Sequence, residues 1–367
     1  MKAPTNISEP TPEKDIKPPV IEVGVIGWMR KNLFNGWFNS VLTLLTLLLL
    51  WKSVPPFIQW AFLESSWFAG SEACRESSGA CWSVVTSNIR FITFGFFPHE
   101  QQWRPLAAMI LLVCLLFYSQ DRTRWNRYLA WAWLIGLFIM GLLMKGGLFG
   151  IESVESSQWG GLPLTLLLSV FGLTAAYPLG VVLALGRQSK MPVVKTLCVI
   201  YIEMIRGVPL ISLLFMSSVV FPLFLPEGMT VDKILRAQVA IILFTAAYVA
   251  EVVRGGLQGM NKGQYEAAES LGLNYYQTMR LVILPQALKI VIPPTVSVLI
   301  SAFKDTSLVV IIALYDILKT TQSVLSDPKW MGYSAESYIF LAIVYFVCCF
   351  FMSNYSRRLE RELDRSL

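Results

Sequence analysis

A chain of 367 residues with 55% apolar and only 15% charged side chains is too poor in charge for a soluble protein of its length. A net charge of +6 is too small and too scattered to mark a nucleic-acid binder. No Ser/His/Asp arrangement is expected around the single histidine, His99, in a polar loop, and no metal cluster is expected around it on these spacings. Apolar runs of membrane-crossing length recur along the chain, and a span needs about 20 such residues.

The first 32 residues are polar and rich in proline (Pro4, Pro10, Pro12, Pro18, Pro19), which predicts disorder. The apolar run after them starts too far in for a cleaved signal peptide. A first crossing is expected over Leu33–Trp51, ending before Pro55 and Pro56. In the long loop that follows, Asn88–Phe97 is apolar but broken by Arg90 and Gly95, and reads as interfacial or packed against the bundle. Pro105–Ser119 and Trp125–Met144 give two more crossings, and Leu162–Leu185 a fourth, kinked at Pro178. A fifth is expected over Leu197–Phe224 and a sixth over Ile234–Val253. After a polar connector comes a seventh, Gln286–Phe303, softened by Pro293 and Pro294. Leu308–Leu318 is too short to cross with assurance, and Tyr338–Met352 is the eighth. The expected fold is an all-α polytopic membrane protein of about eight helices.

Positive charge orients such a chain. Arg122, Arg124 and Arg127, then Arg187, Lys190 and Lys195, then Arg357, Arg358, Arg361 and Arg365 mark cytoplasmic loops and a cytoplasmic tail. Eight crossings with both termini inside satisfy every cluster. Cys74 and Cys81 then fall in an outer loop, where they are either a local disulfide or two thiols.

The connector Gly263–Pro285, GQYEAAESLGLNYYQTMRLVILP, is the most specific stretch. It reads as two short helices with Gly272 in the left-handed conformation between them and Leu273 folded back toward Ala268. Asn274 caps the second helix with Gln277 in capping-box position, and Pro285 is expected to stop it. Small residues at Ala267, Ala268 and Gly272 leave an elbow flat enough for a partner's cleft. The segment resembles the EAA loop through which ABC importer permeases engage their ATPase. An ordinary amphipathic connector is the plainer reading.

Three further stretches sharpen the likeness. Tyr201–Pro209, YIEMIRGVP, resembles the E-x-x-R-G-x-P signature of amino acid importer permeases; Ala247–Gly263 resembles the approach to their coupling loop; Lys304–Leu308, KDTSL, resembles their intramembrane motif. Ser212 departs from the pattern, since glutamine is common there. The added N-terminal helices resemble the M subunit of general L-amino acid permeases. The resemblance implies a type I ABC importer permease core over 158–355, preceded by a three-helix unit over 33–157 and followed by a tail, 356–367.

It also implies partners: a cytoplasmic ATPase dimer, a second homologous permease, a periplasmic amino acid-binding protein, and an L-amino acid of polar or broad specificity as substrate, in a bacterial inner membrane. No cofactor is expected, because the chain lacks G-x-x-x-x-G-K-[ST] and leaves ATP to a partner. The subunit is expected not to be an enzyme. A stand-alone secondary transporter is the alternative.

Charges within membrane helices are costly and usually line a pathway or meet a partner. Asp305 is expected to take the α-ammonium of an amino acid, with Thr306 and Ser307 donating to its carboxylate; otherwise Lys304 and Asp305 pair and only hold a helix break. Glu203 and Arg206, three apart, are expected to pair with each other or to gate the pathway. Glu251 and Arg254 repeat that spacing. Glu266, Ala267, Ala268, Gly272, Leu284 and Pro285 are the expected ATPase-coupling residues, Glu266 being otherwise a solvated helix start.

Overall fold

The computed structural model describes residues 24–147 and 150–364. The expected disorder of residues 1–32 lies outside the described residues as far as position 23, as does Arg365. From Val25 to Asn32 the chain is helical (α1), where disorder was expected.

The first crossing, α2 (Trp37–Ile58), runs through both prolines instead of ending before them. Two prolines remove two amide donors and press on the preceding turn. The helix nonetheless continues, and passes into a π-helical turn at Gln59–Leu63. The described residues up to Ser66, with Glu76–Ala80, form one compact unit, and the other described residues a second. The second and third crossings fall in the second unit.

In that second unit, α3 (Ser71–Glu76) leads to a disulfide between Cys74 and Cys81, whose Cα atoms lie 5.5 Å apart. Next comes α4 (Ser83–Phe94), the packed apolar piece anticipated around Asn88–Phe97. Gly95 ends it at φ 60, with Gly160 so close that a side chain would meet its Cα at 2.9 Å. The crossings α5 (Trp103–Ser119) and α6 (Arg127–Lys145) pack as a hairpin through Ala108, Leu112, Leu137 and Met140. Fully buried Arg104 fastens the pair. Its guanidinium donates to the Leu143 carbonyl at 2.8 Å, in the last turn of α6 where carbonyls lack amide partners, and to the Glu152 carbonyl of the following loop at 3.0 Å.

The long helix α7 (Gly161–Arg187) tolerates Pro178 without breaking. The fifth crossing does break. Helix α8 (Pro192–Gly207) and the run opened by α9 (Leu210–Phe215), continued to Phe224, meet at 102°. Gly207 and Pro209 flank the corner: proline disfavours helical backbone in the residue before it, and Val208 sits at φ −106, ψ 133. Asp232 caps α10 (Lys233–Gln258) by accepting the amides of Ile234 and Leu235. The elbow follows as α11 (Lys262–Ser270) and α12 (Tyr275–Gln277), then α13 (Leu284–Asp305), a 3₁₀ turn at Thr306–Ile312, α14 (Ile317–Leu325) and α15 (Ser334–Asp364). The last helix continues well past Met352, because Arg358 and Glu362 pair along it at 3.0 Å.

Among the described residues, seven helices are long and apolar enough to cross a membrane, or eight if the bent pair counts as one span. Two cores stack along α10. One joins Leu164 and Leu168 of α7 with Leu214, Ile241 and Val309; the other joins Val249, Val253 and Leu257 with Ile283, Ala287 and Val291. At Gly256 an added Cβ would lie 2.2 Å from Val291 Cγ1, so α10 and α13 touch there at backbone range.

Candidate functional site

Three pieces of the second unit are candidates for function: a cavity, an ion network and the elbow. The cavity, about 320 Å³, lies between α10 and α13. Phe244, Thr245 and Tyr248 line it from α10, and Ser297, Val298, Ser301, Ala302 and Asp305 from α13. Helical geometry explains the set: positions 297, 301 and 305 follow at intervals of four and share one face. The result is a mostly apolar pocket with one carboxylate at its end and hydroxyls on both walls, the usual make-up of a small-molecule site.

Of the KDTSL residues, Asp305 alone lines the cavity. Lys304 is exposed and points elsewhere. Thr306 is fully buried and its hydroxyl donates to the Phe303 carbonyl at 2.7 Å; the Ser307 hydroxyl donates to the Lys304 carbonyl at 2.8 Å. The expectation that these two hydroxyls would donate to a substrate carboxylate is thereby corrected. A helix end leaves carbonyls without amide partners, and hydroxyls three residues on are well placed to satisfy them. The hydroxyls that do reach the cavity belong to Thr245, Tyr248, Ser297 and Ser301. None was singled out from the sequence, although the i, i+4 stripe ending at Asp305 was there to be read.

The ion network also differs from expectation. Glu203 pairs with Arg187 at 2.8 Å, and Arg206 with Glu251 at 3.5 Å, so the expected Glu203–Arg206 pair gives way to two contacts between helices. Arg187 arrives from the end of α7 and lies 3.5 Å from Glu251 as well. Arg254 binds Glu251 along α10 at 2.5 Å, as the spacing suggested. One carboxylate thus serves three guanidinium groups. Arg206 also lies over the Tyr248 ring, 5.6 Å from its centroid, and Tyr248 lines the cavity. The network therefore abuts the pocket through one aromatic ring.

Glu203 is half exposed, whereas Glu251 is 24% exposed and central. Glu251→Gln leaves three cations without their shared anion and is expected to destabilise the fold by about 2 kcal/mol, since unpairing a partly buried charge costs more than an exposed pair contributes. Glu203→Gln is expected to cost about 0.5 kcal/mol. Thermal unfolding of the two variants in detergent checks the ranking, and equal losses would contradict it.

The elbow matches its sequence reading closely. Asn261 caps α11; Gly272 takes φ 72; the Leu273 amide donates to the Ala268 carbonyl at 3.1 Å. Asn274 and Gln277 form the capping box, with bonds of 3.0 and 2.9 Å. Two details differ. Ala268 is buried against the bundle, so the exposed face holds Glu266, Ala267 and Gly272 without it. Pro285 does not stop a helix. A π-helical turn at Thr278–Ile283 passes directly into α13, so the helical run continues through half-buried Leu284 and exposed Pro285, and the π-turn covers the carbonyls that lose an amide partner to the proline. Leu271 (78% exposed), Tyr275 and Tyr276 stand outward beside Gly272, an apolar patch where the elbow meets the first residues of the candidate span Tyr275–Ile312.

Comparison with known proteins fits this geometry. The family model described as "binding-protein-dependent transport system inner membrane component" matches residues 176–365. The Escherichia coli (strain K12) inner membrane amino-acid ABC transporter permease protein YhdY is 50% identical over 340 residues, 92% of each chain. The Rhodobacter capsulatus glutamate/glutamine/aspartate/asparagine transport system permease protein BztC is 40% identical, covering 95% of each. A crystal structure of an amino acid ABC transporter with histidines superimposes with a TM-score of 0.50 at 33% identity, over 55% of this chain and 92% of that one. With half of the chain inside the family model and near-complete overlap with both relatives, this protein belongs to the inner-membrane permease components of binding-protein-dependent ABC transport systems.

Proposed function

We propose that the chain forms, with a second homologous permease, the translocation pathway of an ATP-driven importer of L-amino acids of polar or broad specificity. The observation that carries this reading is a single helical run from Thr278 to Asp305 that joins the exposed elbow to the carboxylate in the cavity. The cavity's chemistry suits an amino acid zwitterion. Asp305 takes the ammonium group, and the hydroxyls of Thr245, Ser297 and Ser301 receive the carboxylate, with Arg206 behind Tyr248 adding positive potential.

In this reading a cytoplasmic ATPase dimer grips the patch around Leu271, Gly272 and Tyr275, and a periplasmic binding protein delivers substrate at the opposite end. The permease carries no ATP site and needs no cofactor of its own; the membrane is the bacterial inner membrane, with both termini cytoplasmic. ATP binding closes the dimer and moves the elbow, and the helical run carries that motion to the cavity, alternating its access. Energy coupling by an ATPase replaces the stand-alone transporter as the reading, since the relatives are ABC transporter permeases by name.

The test is uptake of labelled L-amino acids into proteoliposomes that hold this subunit, its partner permease and ATPase, with binding protein added. Uptake is expected to need ATP and binding protein and to fail in Gly272→Asp. Uptake indifferent to ATP and to that substitution would overturn the reading.

A further inference from the structure

Beyond Asp305 the chain is irregular yet partly buried, with Thr306, Val309, Ile312, Leu314 and Asp316 inside. It leaves α13 through the 3₁₀ turn, reverses at Ala313 in a left-handed conformation (φ 52), and pairs Tyr315 and Asp316 with Gly160 and Gly161 at the start of α7. A non-glycine residue held this way persists only where its surroundings fix it. Asp316 has no exposed surface. One of its oxygens, Oδ1, caps α14 by accepting the Lys319 amide at 2.9 Å, and the neighbouring Ile317 amide donates to Thr165 of α7 at 3.1 Å. The other oxygen, Oδ2, is buried with no partner.

A second orphan lies close by. Tyr345 enters from α15 with its ring 5.5 Å from that of Phe303. Its hydroxyl sits beside Thr306 and within electrostatic reach of Asp316, yet closes a hydrogen bond with neither. Thr306 has no proton to offer, having donated it to Phe303. A buried donor and a buried acceptor, both unsatisfied, are each a liability until they meet. Neither residue belongs to the cavity, the ion network or the elbow.

We propose that Asp316 and Tyr345 form a latch behind the Thr306 turn, open in this conformation and closed, by donation from the Tyr345 hydroxyl to Asp316 Oδ2, in the alternate conformation of the transport cycle. This rests on the transport reading given above. Asp316 is a positioning residue: it touches no substrate, and acts on Asp305 through the turn between them. A bond made in one state and broken in the other shifts the balance of states, as a bond made equally in both would not.

The latch senses pH. Asp316 lies between the candidate spans, and burial pushes its carboxyl up to about 7. The titratable groups facing the pair are few: Lys319 on α14 beside Asp316, Cys348 and Cys349 on α15 beside Tyr345, uncharged Gly161 and Thr165 on α7, and no titratable residue within Thr306–Ile312. The carboxylate accepts the tyrosine proton better than the neutral acid does. Raising the pH through about 7 therefore favours the closed latch, and lowering it favours the open one. The stability sign is separate. An acid raised in the folded state binds more protons there than when unfolded, so its contribution falls as pH rises from about 4 to about 7.

The test is hydrogen–deuterium exchange of residues 306–316 in the assembled complex, one pH unit below and above the Asp316 value and corrected for intrinsic exchange. Wild type is expected to be about fivefold better protected at the higher pH. Tyr345→Phe and Asp316→Asn are expected to abolish that difference while α10 stays as protected as before. If loss of its capping charge unfolds Asp316→Asn, Tyr345→Phe decides alone. In proteoliposomes Tyr345→Phe is expected to lower maximal uptake at the higher pH and leave the half-saturating substrate concentration unchanged. A Tyr345→Phe variant that keeps the wild-type exchange difference, or a wild type that shows none, would overturn the latch and leave Asp316 as a cap only. A complex with the predicted exchange pattern but no ATP-driven uptake would overturn the transport reading instead.

Discussion

Replacing Asp305 with asparagine is expected to lower ATP-driven uptake by about ten- to a hundredfold while the complex still assembles, since a hydrogen bond to a charged group is worth about 1.5–3 kcal/mol. Asparagine keeps the shape of the side chain and removes only its charge. That charge is half-buried at the end of an otherwise apolar pocket, where a lone carboxylate is costly unless a cation comes to it. The substitution should therefore leave thermal stability unchanged or slightly raised. The combination is diagnostic. If Asp305 merely held the end of α13 in place by pairing with Lys304, the variant would lose stability and transport together. Uptake that survives, in a complex whose ATPase is still stimulated by binding protein, would place the cavity off the route.

The second large effect is expected at the elbow. Gly272→Val asks a β-branched residue to adopt φ 72, which costs about 1–2 kcal/mol. It also sets an isopropyl group in open space, because no atom lies within 4 Å of the position a Cβ would take. Two injuries are thus combined, strain in the turn and an obstacle on the face. Gly272→Asn separates them, since asparagine tolerates the left-handed region far better. Both variants are expected to lose ATPase that copurifies with wild type, and only valine is expected to lower the unfolding temperature. Were asparagine to retain the ATPase, the face around Gly272 would not be where the partner rests.

Where local rules govern, the sequence was enough. The elbow could be read because glycine conformation and the capping box depend on neighbours within four residues. The spans were legible for a similar reason, hydropathy being additive along a helix. Places where a distant element decides were not. Pro55 and Pro56 read as a stop, yet the helix runs through them, and Pro285 reads as a stop although the helical run from Thr278 passes through it as well. The bend at Gly207–Pro209 was hidden by the apolar character of both its arms. Glu203 and Arg206 satisfy a helical spacing rule, but Arg187 on another helix competes and wins the glutamate. Thr306 offered a hydroxyl of the right kind, and only the end of α13 shows where it is spent.

Helix α13 has one more property, which concerns mechanics. Its 22 residues make a rod about 30 Å long, with the elbow at one end and Asp305 at the other. Tilting such a rod by about ten degrees sweeps its far end through about 5 Å, the width of a small amino acid. The close approach of Val291 to Gly256 supplies a bearing a third of the way along, and Pro293 and Pro294 follow at once. Those prolines withhold two amides from the helix, so bending stiffness is lowest just beyond the bearing. Such a beam yields at one place. The elbow half can rotate with its partner while the cavity half lags, and how much of the stroke reaches Asp305 depends on the compliance of that single turn.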